Sequence, residues 1–107
     1  MKAIVLKEPY AGMVRAGKKT IETRVWKTNY RGKLLICASK IPRTEFSGKA
    51  IAIAELVDCR TMIKADEKRA CCKVYDRAHS WVLEDIRPIK PFSVRGQLSL
   101  FEVDIEE

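Results

Sequence analysis

Histidine is almost missing from this sequence: His79 is the only one in 107 residues. That thins the ligand supply for zinc, and the four cysteines do not replace it. Cys71 and Cys72 are adjacent in a stretch of helical propensity, so they point about 100° apart and cannot form a C-x-x-C half-site. Cys37 and Cys59 lie in or at the end of strand-like runs. The expectation is four reduced thiols packed as small hydrophobes, with neither metal nor cofactor. No apolar run approaches the roughly 20 residues of a membrane-spanning helix. Met1 leads straight into a strand pattern rather than a leader peptide, so the chain is expected to be cytoplasmic, with no membrane partner. Also missing are G-x-x-x-x-G-K-S/T, H-E-x-x-H, G-x-S-x-G and the dinucleotide fingerprint. Phosphate-loop, zinc-protease and classical hydrolase readings therefore lose their usual signature.

Acid is scarce where base is dense. Between positions 15 and 40, eight lysines and arginines accompany a single acid, Glu22, a net of +7 that equals the charge of the whole chain. Such a concentration favours a phosphate-bearing partner over charge spread for solubility. The partner expected is RNA or another single-stranded nucleic acid, or a nucleotide. A protein partner is the remaining alternative. With 47% apolar residues, a chain of this length forms one domain, residues 1–107, with its own core.

The hydrophobic pattern predicts a strand over Lys2 to Lys7, apolar on both faces and so central. Pro9 opens a short helix whose face carries Tyr10, Met13 and Val14, and Gly17 closes it. Further strands are expected over Lys19 to Val25, Lys33 to Ser39, Lys49 to Cys59, Ser80 to Ile86 and Leu98 to Ile105. In the longest of these, Ile51, Ile53 and Val57 alternate against Ala50, Ala52, Ala54 and Leu56. Lys64 to Tyr75 reads as a second helix with Cys71, Val74 and Tyr75 inward. Pro88 and Pro91 are expected to break the fifth strand, and Phe101, Val103 and Ile105 to face inward from the sixth. Six strands and two short helices without a βαβ rhythm imply a mixed, mainly β fold, a closed or nearly closed small barrel.

The segment Gly17 to Gly32 carries the chemistry. Alternation places Thr20, Glu22 and Arg24 on one side of their strand, and Lys19 joins them if the strand starts with a bulge after Gly17. A cross-strand ion-pair network is one account of Glu22 and Arg24. A pocket in which Arg24 holds a phosphate or base edge and Glu22 orients it is the other. Trp26 and Tyr30 offer rings for stacking beside Lys27, Arg31, Lys33 and Lys40, with Ser39 at the edge of the site. Trp26 as a barrel cap is an equal alternative to stacking, and Trp81 is read first as core and secondarily as a pocket wall at the barrel mouth. Glu55 is either a solvent contact at a strand end or an acid facing the pocket. His79 is read first as a structural hydrogen-bond partner and only secondarily as a general base.

These residues resemble the ASCH domain family, named for activating signal cointegrator homology, within the PUA-like superfamily. The resemblance runs from Pro9-Tyr10-Ala11 through Gly17, Lys19, Glu22, Arg24 and Trp26 to Tyr30-Arg31-Gly32. It resumes at Gly48, Ala50, Ile51 and Val57-Asp58-Cys59, then at Trp81 and Leu83, and ends at Pro88, Pro91, Gly96 and Leu100-Phe101. It implies a small PUA-like β-barrel of about six strands with two or more short flanking helices. A cleft lined by Gly17 to Arg24 would receive RNA or a modified nucleotide. Some relatives are nucleic-acid-binding accessory domains, one is a reported ribonuclease, and a bacterial subgroup removes the acetyl group of N4-acetylcytidine nucleosides. In that subgroup the lysine matching Lys19 acts with a hydroxyl and a glutamate, whereas here Glu22 stands at the hydroxyl's place. An enzyme built on this chain would use Lys19, Glu22 and Thr20. Binding and catalysis both remain open at this point, as does an adaptor role.

Overall fold

A computed structural model describes residues 1–105, so the last two positions of the expected domain lie outside the described residues. The elements are β1 (Lys2–Leu6), α1 (Tyr10–Arg15), β2 (Ile21–Arg24), β3 (Gly32–Ala38) and β4 (Lys49–Thr61). A single 3-10 turn (Lys64–Asp66) and α2 (Glu67–Ala70) precede β5 (His79–Ser93) and β6 (Phe101–Glu102). The strands form one sheet in the order β2-β5-β4-β3-β1-β6. β1 runs parallel to β3, and the other pairs are antiparallel.

β1 is covered on both faces, as its unbroken apolar run demands. Ile4 and Leu6 join Val14, Leu34, Ile36, Leu56 and Trp81 in the main core, while Ala3 packs on the other side with Leu35, Cys37 and Phe101. Burial pushes the Cys37 thiol up to about 12, and all four cysteines are free. Arg15 secures α1 to the sheet: its Nε donates to the Ile51 carbonyl (3.0 Å), its Nη2 to that of Ile89 (3.3 Å), and its guanidinium covers the Phe46 ring. One of the eight clustered cations is therefore scaffold.

The expected mainly β barrel is present in its nearly closed form: among the described residues β2 and β6 are the sheet's two edges, and the sheet curls far enough for Arg24 on β2 to bond Val5 on β1, so a side chain bridges the seam that the ladder leaves open. Four expectations need correction. The prolines do not end β5. Its pairing with β2 covers only His79 to Val82, so Pro88 and Pro91 sit where β5 has β4 alone as a neighbour and a missing N–H can face the unpaired side. Register shifts along β4 break the simple alternation there: Ile51 joins the cluster of Ala52, Ala54 and Leu56, and Val57 is exposed. The second helix stops early because Cys71 turns left-handed (φ 57°), which leaves Val74 and Tyr75 exposed and Ala70 as the inward residue. The last strand shrinks to two residues, with Leu98 in solvent, yet Phe101, Val103 and Ile105 all pack on the same cluster.

Candidate functional site

The site begins with the turn that ends α1. Gly17 takes a left-handed conformation (φ 79°), and the next two N–H groups, of Lys18 and Lys19, both donate to the Met13 carbonyl at 2.9 and 3.1 Å. Lys19 therefore precedes β2 instead of belonging to it. The turn, not a bulge, frees it from strand parity and sends its side chain inward. There it is only 1% exposed.

The Lys19 Nζ donates to the Ala70 carbonyl, lies 3.6 Å from Glu22 Oε1, and stands 5.1 Å from the centre of the Tyr10 ring. A carbonyl, a carboxylate and a ring face all attract positive charge. The other carboxylate oxygen of Glu22 accepts from Arg24 Nε at 2.8 Å, and Arg24 Nη2 donates to the Val5 carbonyl at 2.6 Å. One acid is thus shared between two cations, leaving the cluster with a surplus positive charge. Glu22 and Arg24 project together because β2 pairs with β5 in regular antiparallel register, opposite Trp81 and His79.

The three charged side chains border a cavity of about 410 Å³ that Lys7, Tyr10, Thr23 and Tyr75 also line. Tyr10 and Tyr75 stand at its rim, 38% and 42% exposed. The Tyr75 hydroxyl donates to Thr23 Oγ1 at 3.0 Å, with Cys72 Sγ 3.8 Å from the same oxygen. A second cavity of about 600 Å³ adjoins the first and shares Val5, Lys7 and Arg24 with it. Ser39 and Lys40 line this neighbour. It opens just past the ends of the parallel pair, since Lys7 follows β1 and Ser39 follows β3.

The remaining sequence candidates lie elsewhere. Thr20 accepts a hydrogen bond from Arg69 at 3.0 Å and lines neither cavity. Trp26 packs edge-on to Trp81 with ring centres 4.8 Å apart, and its carbonyl accepts the Trp81 indole N–H. That places it against the core and away from the cleft entrance. Tyr30 donates its hydroxyl to the Lys33 carbonyl at 2.5 Å, and partial burial, with Glu55 nearby, raises its pKa. Arg31 folds back on the carbonyls of Thr28 and Tyr30. Lys27 and Lys33 are exposed and border neither cavity. Glu55 sits between Lys33 and Glu84 in the sheet, outside both cavities. His79 pairs in register with Arg24 and Thr61, and its buried Nδ1 has no hydrogen-bond partner among the described residues.

The basic link from Lys27 to Lys33 is therefore not the wall of the cleft. Sequence reasoning placed Tyr10 on a helix face with Met13 and Val14, put Tyr75 on an inward one, and passed over Lys7, Thr23 and Cys72 as site residues. The tyrosine hydroxyl was the available signal, because a ring with a polar tip suits a rim better than a core.

Comparison with known proteins agrees with this architecture. A family model for the ASCH domain matches residues 4–93. The crystal structure of ASCH from Zymomonas mobilis superposes with a TM-score of 0.78 at 19% identity, covering 96% of this chain and 87% of that one. Structures of two single-residue mutants of the same Zymomonas mobilis protein give TM-scores of 0.71 and 0.69 at 19% and 18% identity, each over 96% of this chain and 89% and 87% of theirs. At such identities the likeness speaks for the fold alone. Curated proteins gave no match. With the family match extending from β1 to the last residue of β5, the chain belongs to the ASCH domain family and has a PUA-like fold.

Proposed function

We propose that the Lys19-Glu22-Arg24 cleft binds a base of a nucleic acid, RNA above all. The observation that carries this reading is the pairing of a charged floor with two partly exposed tyrosines in one cavity. A flat heterocycle can stack on Tyr10 or Tyr75 while its polar edge meets Arg24, Glu22 and the Thr23 hydroxyl. The surplus cation suits a ligand that carries phosphate, and family membership supports a nucleic-acid partner.

Tyr75→Ala tests the rim without disturbing the core. Stacking on one ring is worth about 1–3 kcal/mol, so affinity for a short labelled RNA should fall roughly 5- to 150-fold, read by fluorescence anisotropy. An unchanged affinity would remove the aromatic rim from the site.

A hydrolytic reading on N4-acetylcytidine is second, favoured by one feature: Lys19, Glu22 and the Thr23 hydroxyl border the same space. In that reaction water adds to the acetyl carbonyl, the C–N bond breaks, and acetate and cytidine leave. Release of cytidine by the native protein and its loss in Lys19→Ala would establish it. If no cytidine is released, binding alone stands.

A further inference from the structure

The base cleft does not end at Arg24. It opens into the 600 Å³ cavity through the shared residues Val5, Lys7 and Arg24, and that cavity shares Lys40, Gly48 and Val94 with a third of about 580 Å³. Among the described residues, six cations, Lys7, Arg24, Arg95, Lys40, Arg43 and Lys49, stand around the second and third cavities against one acid, Glu45. Five of the six, all but Arg24, have no ion-pair partner among the described residues. Lone cations also occur elsewhere on the surface, as at Lys27, Lys64 and Lys90, but here they are gathered around two adjoining cavities.

Two glycines shape the walls of this path. Gly48 is left-handed (φ 71°) beside the Lys40 side chain. At Gly96 a Cβ would approach Val5 Cγ2 to 2.9 Å, so only glycine lets the segment after β5 lie down against β1 and form the wall.

We infer that the three cavities form one track for the sugar-phosphate backbone of a single-stranded oligonucleotide, leading from the base cleft past Arg95 and Lys40 to Arg43 and Lys49. The inference rests on the base-binding reading above and narrows it: the ligand is a strand several nucleotides long, not a free nucleoside. A row of cations along joined cavities suits a repeated anion, and a phosphodiester chain supplies one charge per residue. The strand runs over the β1, β3 and β4 ends, not over the basic link between Lys27 and Lys33.

The test compares three variants of the full chain by anisotropy with labelled oligo-U and oligo-dT of about six residues, over a range of salt. Lys40→Gln, Arg43→Gln and Arg95→Gln together remove three track charges at exposed positions. Their salt slope should fall by about 2, since each single-strand phosphate contact contributes roughly 0.7. The affinity gained on lengthening the ligand from a mononucleotide to the oligomer should disappear with it. Lys64→Gln, Lys68→Gln and Lys90→Gln remove the same charge from surface outside the track and should leave the slope unchanged. Lys27→Gln with Lys33→Gln should do the same. Equal losses in all three variants would reduce binding to net charge and overturn the track. A loss confined to the Lys27 and Lys33 variant would move the strand to the link and overturn the track as well. If the native protein binds the oligomer and Tyr75→Ala weakens it while the track variant does not, the track falls and the base cleft stands. No binding of either oligomer would overturn both. Preference between oligo-U and oligo-dT tells which strand chemistry the track takes.

Discussion

Glu22→Gln should destabilise the fold by about 3–5 kcal/mol, the range for removing one partner of a buried charge pair, in urea unfolding. Among the described residues Glu22 is the only acid paired with Lys19 and with Arg24, and the Lys19 side chain is 2% exposed. Without the carboxylate, a desolvated ammonium keeps only the Ala70 carbonyl and the Tyr10 ring, with a second cation close by. Lys19→Met is expected to differ sharply. It removes the buried charge itself and leaves Glu22 with Arg24, so the loss should stay below about 1.5 kcal/mol, as for hydrophobic replacements of buried ions. Pairing the two substitutions should recover much of the stability lost in Glu22→Gln. Equal losses in the two single variants would show that Glu22 is not the neutralising centre of the cluster.

Asp66→Ala should cost about 3 kcal/mol, because its carboxylate holds several groups at once. Arg60 donates to it twice, at 2.6 and 2.9 Å, Ser80 Oγ at 2.9 Å and the Ile63 N–H at 3.1 Å. Asp66 is 4% exposed, whereas the Arg60 side chain is 39% exposed, so the ion pair itself is partly screened. Most of the loss comes from the stranded Ser80 and Ile63 donors. The bonds from Arg60, then those from Ile63 and Ser80, hold the Asp66 carboxyl well below its ordinary 3.8, against the opposing effect of burial. A depressed folded-state pKa means stability that is present above the unfolded value and lost as pH falls through the folded one. Native stability should therefore decline as pH drops below about 4, and Asp66→Asn should flatten that decline. An identical acid profile in the variant would assign the decline to other carboxylates.

The legible parts of the fold were those governed by local periodicity. β1 and β3 lie within a residue of their expected bounds, since long apolar runs have few other places to go. The inward course of Lys19 was legible from Gly17, although a turn produces it. What stayed hidden depends on contacts across the sequence. Nothing near Pro88 or Pro91 tells that β2 is too short to reach them, and nothing near Ile51 tells that register shifts change its face. The basic link misled for a similar reason. Charge density along the chain says how many cations are near one another in sequence, while Arg15 is committed to carbonyls of β4 and β5 and Arg31 to its own loop. Lys7, Lys40 and Arg95 come together only because β1 and β3 are parallel and the segment after β5 folds back over their ends.

The edge-to-face contact of Trp26 with Trp81 has a spectroscopic consequence. Both indoles of the protein belong to one pair, with Trp81 fully enclosed and neither ring bordering the cleft. Tryptophan emission will therefore report whether the core is assembled and stay nearly blind to what occupies the groove. The protein carries its own unfolding gauge, well separated from any ligand signal, and quenching of that emission by an oligonucleotide would mark a disturbed core instead of a filled site.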